Sequence, residues 1–230
     1  MVSSAQSMIA ETSCLNRNGA VLALQGNASE ASNWFRSAMQ VLVNLTAGQN
    51  TMPPRDVSSI APRNVASAPL DFPKEDSFRI YNSLLIFEPR ESAASTGTQS
   101  QYDVTYYSSV ILFNLALIYH QRAVTTGELQ MYRAADQMYF KGLAILQSFP
   151  DYVDVDMAAL RLSILNNRAH IRLSLGRGQS GDEVDAGEEI RAISCVLLNS
   201  GSQLPQLEAD MINQFIINTL VSGPQCAPSA

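Results

Sequence analysis

The stretch LNRNGAVLALQGNASEASNWFRSA, Leu15 to Ala38, decides how this chain folds. Leu15, Gly19 and Leu22 recur at i, i+4 and i+7 and share one face of a helix, and Ala31, Phe35 and Ala38 repeat that spacing on a second one. Small residues between large ones let two helices approach closely and interdigitate. Gly26 stands where the first helix must stop, and Asn27 followed three residues later by Glu30 is a capping-box-like start for the second. The spacing predicts an antiparallel helix pair over 1–47, with Gly19 facing Ala31 where the helices cross.

Working outward, the same slots return. Leu112, Ala116 and Tyr119, then Ala135, Tyr139 and Gly142, predict a second pair over 103–149. A third pair is expected over 155–199. Its first helix carries Met157, Leu160, Ile164, Ile171 and Leu175 on one side and Leu162, Leu165, Ala169 and Leu173 on the other. A helix apolar on two opposite sides is sandwiched between neighbours. Leu207, Met211, Ile212, Phe215 and Ile216 predict an amphipathic helix over 204–222 that covers the last apolar face, followed by a tail at 223–230.

Between the first and second pairs lies an insertion, 48–102. Pro53, Pro54, Pro62, Pro69 and Pro73 remove backbone donors from its first half, so Gln49 to Pro73 reads as an extended or mobile excursion. A short ordered segment is expected near 77–88. Phe78, Ile80, Leu84 and Ile86 alternate as in a strand, while Phe78, Tyr81, Leu85 and Glu88 also fit a helical face, so both conformations stay open.

Composition narrows the function classes. The net charge of −6, with Lys74 and Lys141 as the only lysines, disfavours a nucleic-acid partner. No apolar run reaches the roughly 20 residues of a membrane span, and Met1 to Ala10 lacks the pattern of a secretory signal. A cytoplasmic location is expected, with the nucleus left open, and no membrane partner. Cys14, Cys195 and Cys226 have neither metal-ligand nor disulfide spacing.

No catalytic residue, metal site or cofactor is expected. Gly176 to Gly181 satisfies G-x-G-x-x-G, but a helix rather than a strand precedes it, so it reads as a turn. His120 and His170 are the only histidines and stand apart from cysteines and carboxylates. Asp151, Asp154 and Asp156 suit helix capping better than a cation loop. Arg161, Arg168 and Arg172 share a helix edge and are expected to pair with acidic residues at 182–189.

The large, small, large and Ala, aromatic, Ala slots resemble those of the tetratricopeptide repeat. The resemblance implies an all-α single domain over 1–230: a right-handed superhelical stack of about three antiparallel helix pairs, a C-terminal capping helix and one long insertion. It also implies a concave groove lined by the first helix of each pair. Asn16, Arg17, Phe113, Asn114, Leu117, His120, Ser163, Asn166, Asn167 and His170 fall there, with Ser13 and Ala20 beside them. Asn114 and Asn167 match a position at which the family uses Asn to hold the backbone of an extended peptide, whereas the first unit has Arg17. The family's carboxylate clamp is not matched, because Asn16, Ala20, Ser163 and Asn167 replace its other polar and basic residues. Arg172 also departs from the pattern. Phe78 to Asn82 and Leu112 to His120 resemble segments of small algal repeat proteins, a likeness that supplies no activity. The expected function is non-catalytic binding of a protein or peptide. The alternative is a homo-oligomeric structural protein whose insertion or exposed end makes the contacts, and a helical enzyme using His120 or His170 is a further rival.

Overall fold

The computed structural model describes residues 4–47, 65–72, 78–88, 101–147, 155–176, 187, 189–195 and 209–222. Residues 48–64, 73–77 and 89–100 of the insertion, which include most of the excursion expected over Gln49 to Pro73, lie outside the described residues, as do Asp151 and Asp154, the glycine turn beyond Gly176, most of the second helix of the third pair and the tail at 223–230.

The described residues are predominantly helical. Helices α1 (Ser4–Leu24), α2 (Ala28–Ala47), α3 (Gln101–Thr126), α4 (Leu129–Gln147) and α5 (Val155–Ser174) are followed by α6, helical at 189–195, and α7 (Ala209–Ser222). The all-α expectation agrees with this helical content, and two short strands lie within the insertion. Strands β1 (Val65–Pro69) and β2 (Ser83–Phe87) form an antiparallel ribbon with Val65 opposite Phe87 and Pro69 opposite Ser83. Both lie in the insertion, and of the two conformations open to 77–88 the chain takes the extended one.

Turn chemistry acts where the sequence puts it. Gly26, at φ 80°, ends α1: Asn27 N–H donates to Leu22 O (2.9 Å) and Gly26 N–H to Ala23 O (3.0 Å). Asn27 then starts α2. Its Oδ1 lies 3.4 Å from Glu30 N, and its Nδ2 donates to Glu30 Oε2 at 2.7 Å. Gly127 (φ 72°) makes the corresponding turn between α3 and α4.

Each of α2 to α5 packs on the helix before it in the chain, and α7 packs on α5. Ala31, Phe35, Ala38, Leu42 and Leu45 of α2 are buried, as are Tyr132, Ala135, Tyr139, Gly142, Leu143 and Leu146 of α4. The nearest neighbour of Gly19 is the Phe35 ring: a Cβ there would come within 2.8 Å of it. Gly142 is roomier, since its Cβ would lie 3.5 Å from Ile164 and 3.7 Å from Leu112. Arg168 on α5 pairs with Asp136 on α4 (2.9 Å) and covers the Phe140 ring, whereas Arg161 pairs with Glu189 on α6. Only the second of these matches the acidic partners expected at 182–189.

Of the inserted ribbon, β2 is part of the core, whereas Ala66, Ser67 and Pro69 of β1 are exposed. β2 packs against α1 and α3, and Leu84, Leu85 and Phe87 are buried, together with Phe78, Ile80 and Tyr81 just before the strand.

Candidate functional site

Alternate residues of an extended chain turn their N–H and C=O groups to opposite sides. Leu70 N–H donates to Asn82 O (2.8 Å), which with the register gives residues 82, 84 and 86 to the side of β1. Arg79, Tyr81, Leu85 and Phe87 therefore turn their main chain the other way, toward the helices. Among the described residues no strand lies there. Side chains from four helices take its place.

Asn114 on α3 grips one residue at both ends: Leu85 N–H donates to its Oδ1 (2.9 Å), and its Nδ2 donates to Leu85 O (2.7 Å). Asn167 on α5 does the same to Tyr81, at 2.8 Å in both directions. Asn218 on α7 repeats the grip on Arg79, with 3.3 Å to the N–H and 2.9 Å to the C=O. From α1, Asn16 Nδ2 donates to Leu85 O (3.0 Å) and Ser13 Oγ to Phe87 O (2.7 Å). Asn is suited to this task because one planar amide carries a donor and an acceptor side by side, matching the edge of a peptide unit.

The amides also hold one another. Asn114 Nδ2 donates to Asn16 Oδ1 (2.9 Å), Asn218 Nδ2 to Asn166 Oδ1 (2.7 Å), and Asn167 Nδ2 to the Tyr139 hydroxyl (3.0 Å). Asn166 reaches Arg79 O at 3.0 Å. Asn16, Asn114, Asn166 and Asn167 are fully buried and Asn218 nearly so, which is tolerable because these bonds satisfy them.

Side chains of the segment fill pockets between the helices. Phe87 stacks on Tyr107 with ring centres 4.2 Å apart, and Tyr81 contacts Phe113 (5.7 Å) and Phe215 (6.4 Å). At the far end His120 Nε2 and His170 Nδ1 lie 2.8 Å apart, a hydrogen bond between two buried rings. Phe72 packs on His120 (5.8 Å) and Phe78 on His170 (5.2 Å), while Tyr132 and Tyr139 contact the pair from α4. Burial, and secondarily the neighbouring His170, holds His120 well below the usual histidine range. Burial likewise pushes the Tyr81 and Tyr139 hydroxyls up, far from ionising at neutral pH.

The expected groove residues thus come together, but under the chain's own segment. Asn16, Asn114, Asn166 and Asn167 hold its backbone, Phe113 packs on Tyr81, and His120 and His170 sit beneath Phe72 and Phe78. Leu117 is buried in the core. Arg17 lies at the exposed end and pairs with Glu88 at 2.8 Å. Ser163 does not reach the segment, because its Oγ donates to Ala159 O of its own helix (2.9 Å). Asn218 is the one clamp residue outside the expected set. A signal for it exists: Ile111-x-x-Asn114, Ile164-x-x-Asn167 and Phe215-x-x-Asn218 share a spacing. Among the described residues no group of three or more His, Cys, Asp or Glu side chains is placed to hold a metal ion, and no helix is long and apolar enough to cross a membrane. No family model, curated protein or solved structure matches the chain.

Proposed function

We propose that the protein is a non-catalytic binding scaffold, a right-handed tetratricopeptide-like stack of three helix pairs closed by α7, which recognises a protein or peptide as an extended chain in its groove. The observation that supports this is the repeated two-ended grip of Asn114, Asn167 and Asn218 on single residues of an extended backbone. Such contacts read the main chain and leave selectivity to side-chain pockets.

The resident segment decides when a partner gains entry. Phe78, Ile80, Tyr81, Leu84, Leu85 and Phe87 are buried. At about 1.5–3 kcal/mol each, their burial favours the segment by roughly 9–18 kcal/mol before backbone ordering is subtracted. Tethering adds an effective concentration in the millimolar range. A weakly bound peptide does not displace such an occupant, so the groove takes a partner only when the segment is weakened or lifted.

The test uses a labelled peptide with the sequence Phe78 to Glu88. It should bind a full-length Tyr81→Ala/Leu85→Ala variant at least about tenfold more tightly than the unaltered chain, a difference of about 1.4 kcal/mol. Adding Asn114→Ala and Asn167→Ala should reverse the gain. Failure of the peptide to bind either chain contradicts the groove reading.

A further inference from the structure

We propose that His120 and His170 form an acid-sensitive latch, which releases the end of the resident segment carrying Phe72 and Phe78 when both rings are protonated. The pair contributes nothing to the asparagine clamp, yet it lies directly under the segment: Phe72 packs on one ring and Phe78 on the other. A hydrogen bond between two imidazoles needs one proton between two nitrogens, N–H on one ring and a lone pair on its neighbour. A doubly protonated ring presents N–H on both nitrogens. With both rings in that form, two N–H groups face each other across the 2.8 Å that separates His120 Nε2 from His170 Nδ1. The contact then cannot persist, and the two like charges repel in a site that water screens poorly.

Among the described residues, aromatic rings pack around the pair. From α4 the pair is faced by Tyr132 and Tyr139, and the Tyr139 hydroxyl is held neutral by burial and already accepts from Asn167. The segment contributes the uncharged rings of Phe72 and Phe78, and α3 and α5 contribute the histidines themselves. His120 Nδ1 is buried without a hydrogen-bond partner. Lys74, Glu75 and Asp76, between the two phenylalanines in sequence, lie outside the described residues. His170 stands three residues beyond Asn167, one helical turn along the same face, so separation of the rings loosens the grip on Tyr81 before that on Leu85.

The latch rests on the groove reading only for its consequence, exposure of the asparagines, and its test needs no partner. Hydrogen exchange of the full chain, corrected for intrinsic rates, should show the stretch 78–82 losing at least about tenfold protection as pH falls from about 7 to about 5, around the ordinary histidine pKa. Stretches in α2 should stay protected. His120→Gln keeps a side-chain nitrogen to donate to His170 but does not titrate, so it should hold protection at 78–82 across the range. His170→Asn supplies a second non-titrating variant if the first fails to fold. Loss of protection at the same pH in the folded variants, as release by carboxylates such as Glu75 or Asp76 would produce, overturns the latch. So does full protection of the unaltered chain at the acid end.

Discussion

Asn114 concentrates the chemistry of this protein in one side chain, and its substitutions separate hydrogen bonding from packing. Asn114→Ala leaves Leu85 N–H and Asn16 Oδ1 without their partners while Asn16 still serves Leu85 O, so a loss of about 1–3 kcal/mol is expected in urea unfolding. Asn114→Asp should cost more than Ala despite its similar shape. A carboxylate would face Leu85 O and Asn16 Oδ1 with no proton to offer either, and it would be buried. Two glycines make an opposite pair. Gly19→Ala drives a methyl into the Phe35 ring and should cost about 1–3 kcal/mol, whereas Gly142→Ala meets only ordinary contacts and should gain about 0.5–1 kcal/mol from helix propensity. His120 supplies the pH dependence. Its folded pKa lies below the unfolded value, so the unfolded chain binds more protons under about pH 6.5; the contribution is complete above that pH and is lost as pH falls toward the folded pKa. Denaturant melts of His120→Gln should show a shallower decline over that window than the unaltered chain.

At the level of elements, the start of α2 was the most legible feature, because cap chemistry is local. Asn27→Ala removes the side chain that bonds Glu30 at the start of α2 and should lower stability by about 1 kcal/mol, readable as a shift in the thermal midpoint. Helix faces were legible for the same reason, and Asn114 and Asn167 followed from the positions that the tetratricopeptide resemblance implies for them on α3 and α5. Asn218 did not, since α7 reads as a cap whose apolar face masks the one polar residue turned into the groove. The resident segment was harder. An ordinary half-buried strand alternates apolar and polar residues, but here Ile80 and Tyr81, and again Leu84 and Leu85, are buried as neighbours, with side chains of both faces covered. Burial on both faces erases the period-2 signal and leaves helix and strand equally compatible with the sequence. The resemblance placed His120 and His170 in one groove but not their contact: 50 residues separate them, and the packing of α3 near α5 brings the rings together.

For the whole molecule, helices α1, α3, α5 and α7 converge on a segment inserted between α2 and α3. Ser13, Asn16, Asn114, Asn167 and Asn218 come from four helices far apart in sequence and converge on fewer than a dozen consecutive residues. The segment therefore couples α1, α3, α5 and α7, and weakening it should loosen all four. Residue-resolved amide exchange by NMR tests the central claim most directly, because each clamp holds one identified N–H. In the unaltered chain the Tyr81 and Leu85 amides should both be strongly protected. Asn114→Ala should speed exchange at Leu85 at least about tenfold, equivalent to about 1.4 kcal/mol, with a smaller change at Tyr81, and Asn167→Ala should do the reverse. Fast exchange at both amides in the unaltered chain, or protection at Leu85 that survives loss of Asn114, would contradict the assignment of the groove to the chain's own segment.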